Sequence, residues 1–201
     1  MNEIKAVIFD WGGVLGGATG TVRRHAAEVF GVDEHSIAQA WADLLPPIQV
    51  SEISEKEFWT SLSKRIGKPL PKDWKKLLRE PYEKHYALNQ DVIEIARNLK
   101  EKGFKLGILS NTIETHQLPQ KKELYGELFD VVFLSHRERL RKPDKQAYLK
   151  LAEKLGVKPD EMVHIDDEHE FVEAAKKAGL KGIHFTNAEE LKRQLARMGI
   201  G

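Results

Sequence analysis

The chain has 201 residues, 41% of them apolar and 31% charged, which suits one or two folded domains with a buried core. Thirty-two Lys and Arg stand against 31 Asp and Glu, so no whole-molecule field draws nucleic acid or an acidic membrane. The absence of cysteine excludes disulfides, iron–sulfur clusters, cysteine zinc sites and a thiol nucleophile.

Ile4-Lys5-Ala6-Val7-Ile8-Phe9 is a short apolar run rich in β-branched residues, with Asp10 at its end, and reads as the first strand. Residues 16–88 then carry helical patterns with no convincing strand between them. They begin with Gly16-Gly17-Ala18-Thr19-Gly20, a stretch suited to hinge motion. A first helix runs from Thr21 to Phe30 and closes on Gly31, and a second runs from Ser36 to Leu45 and stops at Pro46-Pro47. Ser54 with Glu57 forms a capping box for a third, which ends at Gly67; a fourth follows Pro71 through Trp74, Leu77 and Leu78 towards Tyr86. Trp41, Phe58, Trp59 and Trp74 are assigned to the core of this helical module.

After residue 88 the rhythm changes. Asp91 to Lys102 places Val92, Ile95, Ala96 and Leu99 on one stripe before Gly103. Phe104 to Leu109 is a strand ending at Ser110, and Val131 to Leu134 is another ending at Ser135. A helix from Lys145 to Leu155 leads to the strand Met162 to Ile165, which ends at Asp166-Asp167. Phe171, Val172, Ala175 and Ala178 form the next helical stripe, Gly182 to Phe185 the last strand, and Thr186 with Glu189 a capping box for the final helix. Strands apolar on both faces, alternating with helices, imply parallel strands joined by right-handed crossovers. The expected fold is α/β, a doubly wound parallel sheet, with a core of residues 1–15 and 89–201 and an inserted helical module of residues 16–88.

In open parallel sheets ligands bind beyond the carboxyl ends of the strands, where the strand order switches. Here those ends carry Asp10, Ser110, Asp166 and Asp167, with Lys142 in Arg141-Lys142-Pro143-Asp144 after the third strand. Asp10 and Asp167, with Asp166, offer hard oxygen ligands for Mg²⁺. His164 and His169 do not make the histidine triad that zinc favours. Ser110, Lys142 and the backbone N–H groups of Asn111 and Thr112 offer donors for phosphate oxygens. Asp10 has the chemistry to attack phosphorus and form an aspartyl-phosphate. Each residue also has a plainer reading: Asp10, Ser110 and Asn111 as turn caps, Lys142 as a solvated lysine, and Asp166 to Glu170 as a solvated helix start.

With these residues in place, the chain resembles the haloacid dehalogenase superfamily of phosphohydrolases. Phe9-Asp10-Trp11-Gly12-Gly13-Val14-Leu15 is similar to the first motif of that family, with Gly12 where a second aspartate usually stands. Leu109-Ser110-Asn111-Thr112, Lys142-Pro143-Asp144 and Ile165-Asp166-Asp167 are similar to the second, third and fourth motifs. All four fall in the family's order across essentially the whole chain, and residues 16–88 resemble its C1-type cap. The glycine, the Ser-Asn-Thr and the double Asp resemble the branch of glucose-1-phosphate phosphatase-like proteins. The resemblance implies Asp10 as nucleophile and metal ligand, Gly12 as a ligand through its carbonyl oxygen, and Asp167 as a side-chain ligand. It implies Asp166 as a ligand or a carboxylate just behind one, Ser110, Asn111 and Lys142 as the phosphate holders, and Mg²⁺ as the cofactor.

Two departures stand out. The family's second aspartate protonates the leaving oxygen and then activates water, which Gly12 cannot do; His116 and His169 are the candidates to replace it. Phe171 stands where many relatives carry an Asn or Asp that supports the metal, and Glu170 is the candidate to compensate. General acid–base help is worth about 10²–10⁴-fold, so turnover is expected to be slow unless something substitutes.

The leading expectation is therefore a Mg²⁺-dependent phosphatase of a small phosphorylated metabolite, such as a sugar phosphate. The alternatives are a non-catalytic phosphate- or metabolite-binding protein, which Gly12 motivates, and a 2-haloacid dehalogenase, against which the double Asp argues. A two-component receiver domain uses similar residues, but there the acidic pair comes first in the chain. No run approaches the ~18 apolar residues of a membrane span, and Met1 to Lys5 lacks the basic-then-apolar layout of a secretory leader. A cytoplasmic monomer with neither a nucleic-acid nor a membrane partner is expected. Abundant Lys and Glu beside five Asn and seven Gln point towards heat adaptation.

Overall fold

The computed structural model describes residues 3–17 and 20–200. The first apolar run forms β1 (Ala6–Phe9), buried along its whole length, and a short β2 (Gly16–Gly17) follows. The helical stretch gives α1 (Thr21–Phe30), α2 (Glu34–Gln49), α3 (Glu55–Ile66), a 3-10 turn at Trp74–Lys76 and α4 (Arg79–His85). β3 (Ala87–Leu88) then pairs antiparallel with β2, so the two connections to the helical module leave the sheet side by side. Of the glycine-rich stretch expected to act as a hinge, Ala18 and Thr19 lie outside the described residues.

The rest of the chain alternates. It runs through α5 (Gln90–Glu101), β4 (Lys105–Ser110), α6 (Pro119–Leu128), β5 (Val131–Leu134), a short α7 (Ser135–Glu138) and α8 (Lys145–Leu155). It ends with β6 (Met162–Asp166), α9 (His169–Lys177), β7 (Lys181–His184) and α10 (Ala188–Arg197).

Five strands pair in parallel in the order β5-β4-β1-β6-β7. The chain moves outward from β1 on one side and then crosses back to the other, which puts β1 at the switch in strand order. Successive strand residues point to opposite faces. Val7 and Phe9 join Leu106, Ile108, Val163 and Ile165 in a cluster with α5, α6 and α10. Ala6 and Ile8 join Leu109 and Met162 in a second cluster with α8 and α9. With helices on both faces, the runs have no polar side to expose, which is why they read as continuous apolar segments. The doubly wound parallel sheet expected from the sequence is the one that forms.

The helical module buries its own cluster, in which Ile37, Phe58, Trp59 and Leu62 are fully covered and Trp41 meets the Phe58 ring edge to face at 5.1 Å. Ile113 and Leu118, from the segment after β4, enter the same cluster, so an apolar seam joins module and sheet.

Several boundaries differ from the sequence expectation. α2 does not stop at Pro46-Pro47 but runs through both to Gln49, and it starts earlier, with Asp33 capping the Ser36 N–H at 2.9 Å. Interior prolines cost about 3 kcal/mol or more; burial of Leu44, Ile48 and Gln49 in the last turns overrides that local preference. The fourth helix is broken into the 3-10 turn and α4. The final helix is capped by Asn187, which accepts from the Glu190 N–H at 2.9 Å, and not by Thr186. α6 and α7 were not expected from periodicity at all.

Candidate active site

A cavity of about 610 Å³ opens at the carboxyl ends of β1, β4 and β6, and residues of the helical module form its roof. β1 delivers Asp10, whose N–H donates to the Ile165 carbonyl at 2.9 Å, and β4 delivers Ser110. β6 delivers Asp166 and, one residue on, Asp167. Lys142 reaches in from the loop before α8 and is 1% exposed.

Lys142 holds the carboxylates together. Its Nζ donates to Asp10 Oδ1 at 2.7 Å and to Asp166 Oδ2 at 2.5 Å, and it lies 4.9 Å from the centre of the Phe171 ring. Burial opposes its charge, but Asp10 and Asp166 outweigh it and raise the Lys142 pKa above the usual lysine range. Against the burial that would raise it, Lys142 and His164 hold Asp166 down to about 2. Burial pushes Asp10 up to about 7 despite Lys142, and the charges of Asp166 and Asp167 add to the rise. Asp167 is half-buried and also raised, by burial and by Asp166.

Asp166 has little left to offer an ion directly. Oδ2 takes Lys142 and lies 3.0 Å from His164 Nε2, while Oδ1 accepts the Glu168 N–H at 2.9 Å. Burial lowers the His164 pKa, so its ring is neutral and bonds the carboxylate through a protonated Nε2. Asp167 sits across from Gly13: a β-carbon built there would fall 2.1 Å from Asp167 Oδ2, and the Gly13 φ of +77° is left-handed. At Gly12 a β-carbon would meet nothing nearer than Asp10 Oδ2 at 3.8 Å, which directs that second oxygen towards the Gly12 side.

One oxygen each from Asp10, Asp166 and Asp167 lie within 4.8 Å of one another. Three neighbouring carboxylates, two of them bonded to a single ammonium, exceed its charge, and their hard oxygens suit a divalent cation such as Mg²⁺.

Two of the groups expected to donate to phosphate already have protein partners. The Asn111 side chain bonds the Lys142 main chain at both ends, donating from Nδ2 to its carbonyl at 2.9 Å and accepting its N–H on Oδ1 at 2.8 Å. Asn111 thus fixes the loop that carries Lys142. The Thr112 N–H donates to Ser135 Oγ at 2.9 Å and points into the protein, so it is removed from the donor set. Of the acid–base candidates, His169 is 72% exposed beside Glu173 and takes no part in the cavity. His116 does line it, but burial lowers its pKa to about 3 and its ring stacks on Tyr82 at 4.0 Å. Glu170 is exposed, and its charge acts on Arg141.

Sequence reasoning missed three participants. His164 fixes Asp166; its signal was a polar residue inside a buried strand, two positions from Asp166 and so on the same face. Gln49 ties roof to floor, accepting from Arg141 Nε at 3.0 Å and donating to the Asn111 carbonyl at 3.4 Å. No local pattern marks Gln49, because the prolines hide the helix that carries it. Lys121 is the third, a second buried lysine on the cavity wall.

The family described as haloacid dehalogenase-like hydrolase matches residues 4–179. The phosphorylated carbohydrates phosphatase of Thermotoga maritima is 28% identical over 190 residues, covering 90% of this chain and 84% of that protein. Phosphatase MT3486 of Mycobacterium tuberculosis is also 28% identical, over 89% of this chain and 86% of its own. A HAD-family enzyme of Bacteroides thetaiotaomicron, solved with magnesium and inorganic phosphate, shares the fold at a TM-score of 0.70 and 19% identity, covering 91% of this chain and 94% of that one. The chain belongs to the haloacid dehalogenase-like hydrolases.

Proposed function

We propose that the protein is a Mg²⁺-dependent phosphatase of a small phosphorylated metabolite, sugar phosphates among them, acting through an aspartyl-phosphate on Asp10. The observation that carries this reading is the cluster at the switch in strand order, where Lys142 bonds the buried Asp10 and Asp166 and one oxygen of each lies within 4.8 Å of one from the half-buried Asp167. The core of residues 1–15 and 89–201 supplies the chemistry, and residues 16–88 act as a cap that excludes water and selects the substrate. The relative that acts on phosphorylated carbohydrates supports the substrate class.

Asp10 Oδ2 attacks phosphorus while Lys142 holds Oδ1. Ser110 and Lys142 hold the phosphoryl oxygens, and Asn111 positions Lys142. Asp10, Asp167 and the Gly12 carbonyl would hold the cation, while Asp166 fixes Lys142. When bound, Mg²⁺ neutralises carboxylate charge and polarises a phosphoryl oxygen. Water then hydrolyses the aspartyl-phosphate. Cytoplasmic location and a monomeric state complete the reading; no helix among the described residues is long and apolar enough to cross a membrane.

Purified protein with Mg²⁺ and p-nitrophenyl phosphate tests it, followed by a panel of phosphorylated metabolites. Asp10→Asn is expected to lower turnover by about 10⁴-fold or more, the scale on which losing a nucleophile acts, and EDTA is expected to silence the wild type. Equal release by the wild type and Asp10→Asn would overturn the proposal. A second reading, a phosphate binder without turnover, rests on the missing side chain at Gly12. Tight phosphate binding with no hydrolysis across the panel would favour it.

A further inference from the structure

Lys121, on α6, is 1% exposed and lines the same cavity as Asp10 and Gly12. Its Nζ lies 4.7 Å from the centre of the Trp11 ring and 5.0 Å from that of Tyr82, and it donates to the His116 carbonyl at 3.1 Å. Among the described residues no carboxylate comes within ion-pair distance of it, and Asp10 is the acid whose charge acts on it. A buried ammonium without a counter-charge is costly. Aromatic faces offset only part of that, about 0.5–2 kcal/mol. Burial accordingly lowers the Lys121 pKa to about 7, with Asp10 resisting the fall. One cavity thus holds two buried lysines: Lys142, locked in its charged form by two carboxylates, and Lys121, which holds its proton loosely. Titratable groups driven apart in this way mark the division of acid–base labour at a site.

We infer that Lys121 is the proton donor and acceptor of the reaction, serving the ester oxygen in the first step and the attacking water in the second. The inference rests on the phosphatase reading above. As the bond from Asp10 Oδ2 to phosphorus forms and the ester P–O bond breaks, the departing oxygen takes a proton from the Lys121 ammonium and leaves as the alcohol. Water then attacks phosphorus, the neutral Lys121 amine takes its proton, and the Asp10–phosphorus bond breaks. Inorganic phosphate departs and the ammonium is restored, so ester and water become alcohol and phosphate with nothing else consumed.

The other titratable groups near Lys121 are unsuited to the task. His116 stays neutral down to about pH 3, stacks on Tyr82 and gives Lys121 its carbonyl. Burial raises the hydroxyls of Tyr82, Tyr86 and Tyr125 well above the ordinary tyrosine range. His136, buried and with its pKa lowered by that burial, is absent from the cavity lining. Gly12 has no side chain.

The test compares two esters in the Mg²⁺-loaded full chain. p-Nitrophenolate leaves without a proton, whereas the alkoxide of glycerol phosphate needs one. Lys121→Met is expected to lower kcat for the alkyl ester by about 10²–10⁴-fold with KM little changed. With p-nitrophenyl phosphate the same variant keeps a burst of one p-nitrophenolate per enzyme, followed by slow turnover, because only the water step lacks its base. Lys121→Arg keeps the charge over the rings but cannot release its proton, so it must be as slow as the Met variant. The signal of the Lys121 side chain in a ¹³C-lysine-labelled, metal-free sample, assigned by its loss in Lys121→Arg, is expected to titrate near pH 7. Full kcat in Lys121→Arg, unchanged kcat in Lys121→Met, loss of the burst, or a lysine signal still charged at pH 9 would each overturn the inference and leave the phosphatase reading standing. A wild type no faster than Asp10→Asn on either ester would sink both.

Discussion

The cavity has two walls, each built around a lysine that is 1% exposed. On the carboxylate wall, Lys142 lies within 2.7 Å of Asp10 and 2.5 Å of Asp166. On the aromatic wall, Lys121 faces the rings of Trp11 and Tyr82 and one backbone carbonyl. Burial acts on both in the same direction, yet Lys142 is raised and Lys121 lowered. The neighbours decide, because a carboxylate a hydrogen bond away offsets desolvation, whereas ring quadrupoles offset only a fraction of it. The same residue type therefore serves as a fixed charge on one wall and as a movable proton on the other.

Removing the fixed charge should have the larger effect on stability. Lys142→Met leaves Asp10 and Asp166 buried side by side with no cation between them, and breaking such a pair costs about 3–5 kcal/mol. Urea titration in EDTA at pH 8 is the measurement, since there both carboxylates must remain charged or take up protons. A variant within about 0.5 kcal/mol of the wild type, the range of inert surface changes, would mean that Lys142 does not hold this wall together.

The second way to sharpen the contrast is pH. The Lys121 pKa falls from 10.5 in the unfolded chain to about 7 in the folded one, so between those values the unfolded state binds more protons. Its destabilising contribution is complete below pH 7 and relaxes as pH rises towards 10.5. Lys142 is shifted the other way and contributes no slope in this window; its stabilisation is lost only above the ordinary lysine pKa. In EDTA, the wild type should therefore gain on Lys121→Met by about 2–3 kcal/mol between pH 7 and pH 9, at roughly 1.4 kcal/mol per unit. Parallel stability curves for the two proteins would show that Lys121 is charged throughout and that the two walls are electrostatically alike.

The two walls also differ in how far the sequence discloses them. Asp10, Ser110 and Asp166-Asp167 each follow an apolar run that can only be a buried strand, and the sheet's topology brings strand ends together, so the carboxylate wall could be read directly. Its internal division could not: that Asn111 fastens Lys142 and His164 fixes Asp166 depends on side chains from separate strands and loops meeting. The aromatic wall is assembled from Trp11, α4 and α6, and α6 escaped notice because it lacks a clean apolar stripe. The reason is Lys121 itself. It stands at helical spacing from the buried Leu124, Tyr125 and Leu128, so a lysine occupies a core position and breaks the pattern. Read in reverse, a lysine on an otherwise buried stripe was the signal. Pro46-Pro47 misled in a related way: local backbone chemistry argued for a stop, while the buried turn beyond it, ending in Gln49, was set by tertiary packing.

The adjacent glycines at the junction of the walls give the smallest and most local test. Gly13 has φ +77° and its missing β-carbon would overlap the Asp167 carboxylate at 2.1 Å, so Gly13→Ala must both strain the backbone and displace a ligand of the proposed cation. The backbone part alone costs about 1–2 kcal/mol for an L-residue in the left-handed region. Gly12 lies outside that region, and an alanine β-carbon there stands 3.8 Å from Asp10 Oδ2, an ordinary contact. Gly12→Ala should therefore stay within about 0.5 kcal/mol of the wild type. Thermal melts with and without Mg²⁺ separate the two effects. Cation-induced stabilisation should survive in Gly12→Ala and shrink in Gly13→Ala, because only the second substitution moves Asp167. Equal loss in both would place the cation's contacts at the Gly12 carbonyl and not at Asp167. Equal retention would show that the Asp167 carboxylate can move aside and still hold the ion, so that backbone strain alone accounts for the glycine at position 13.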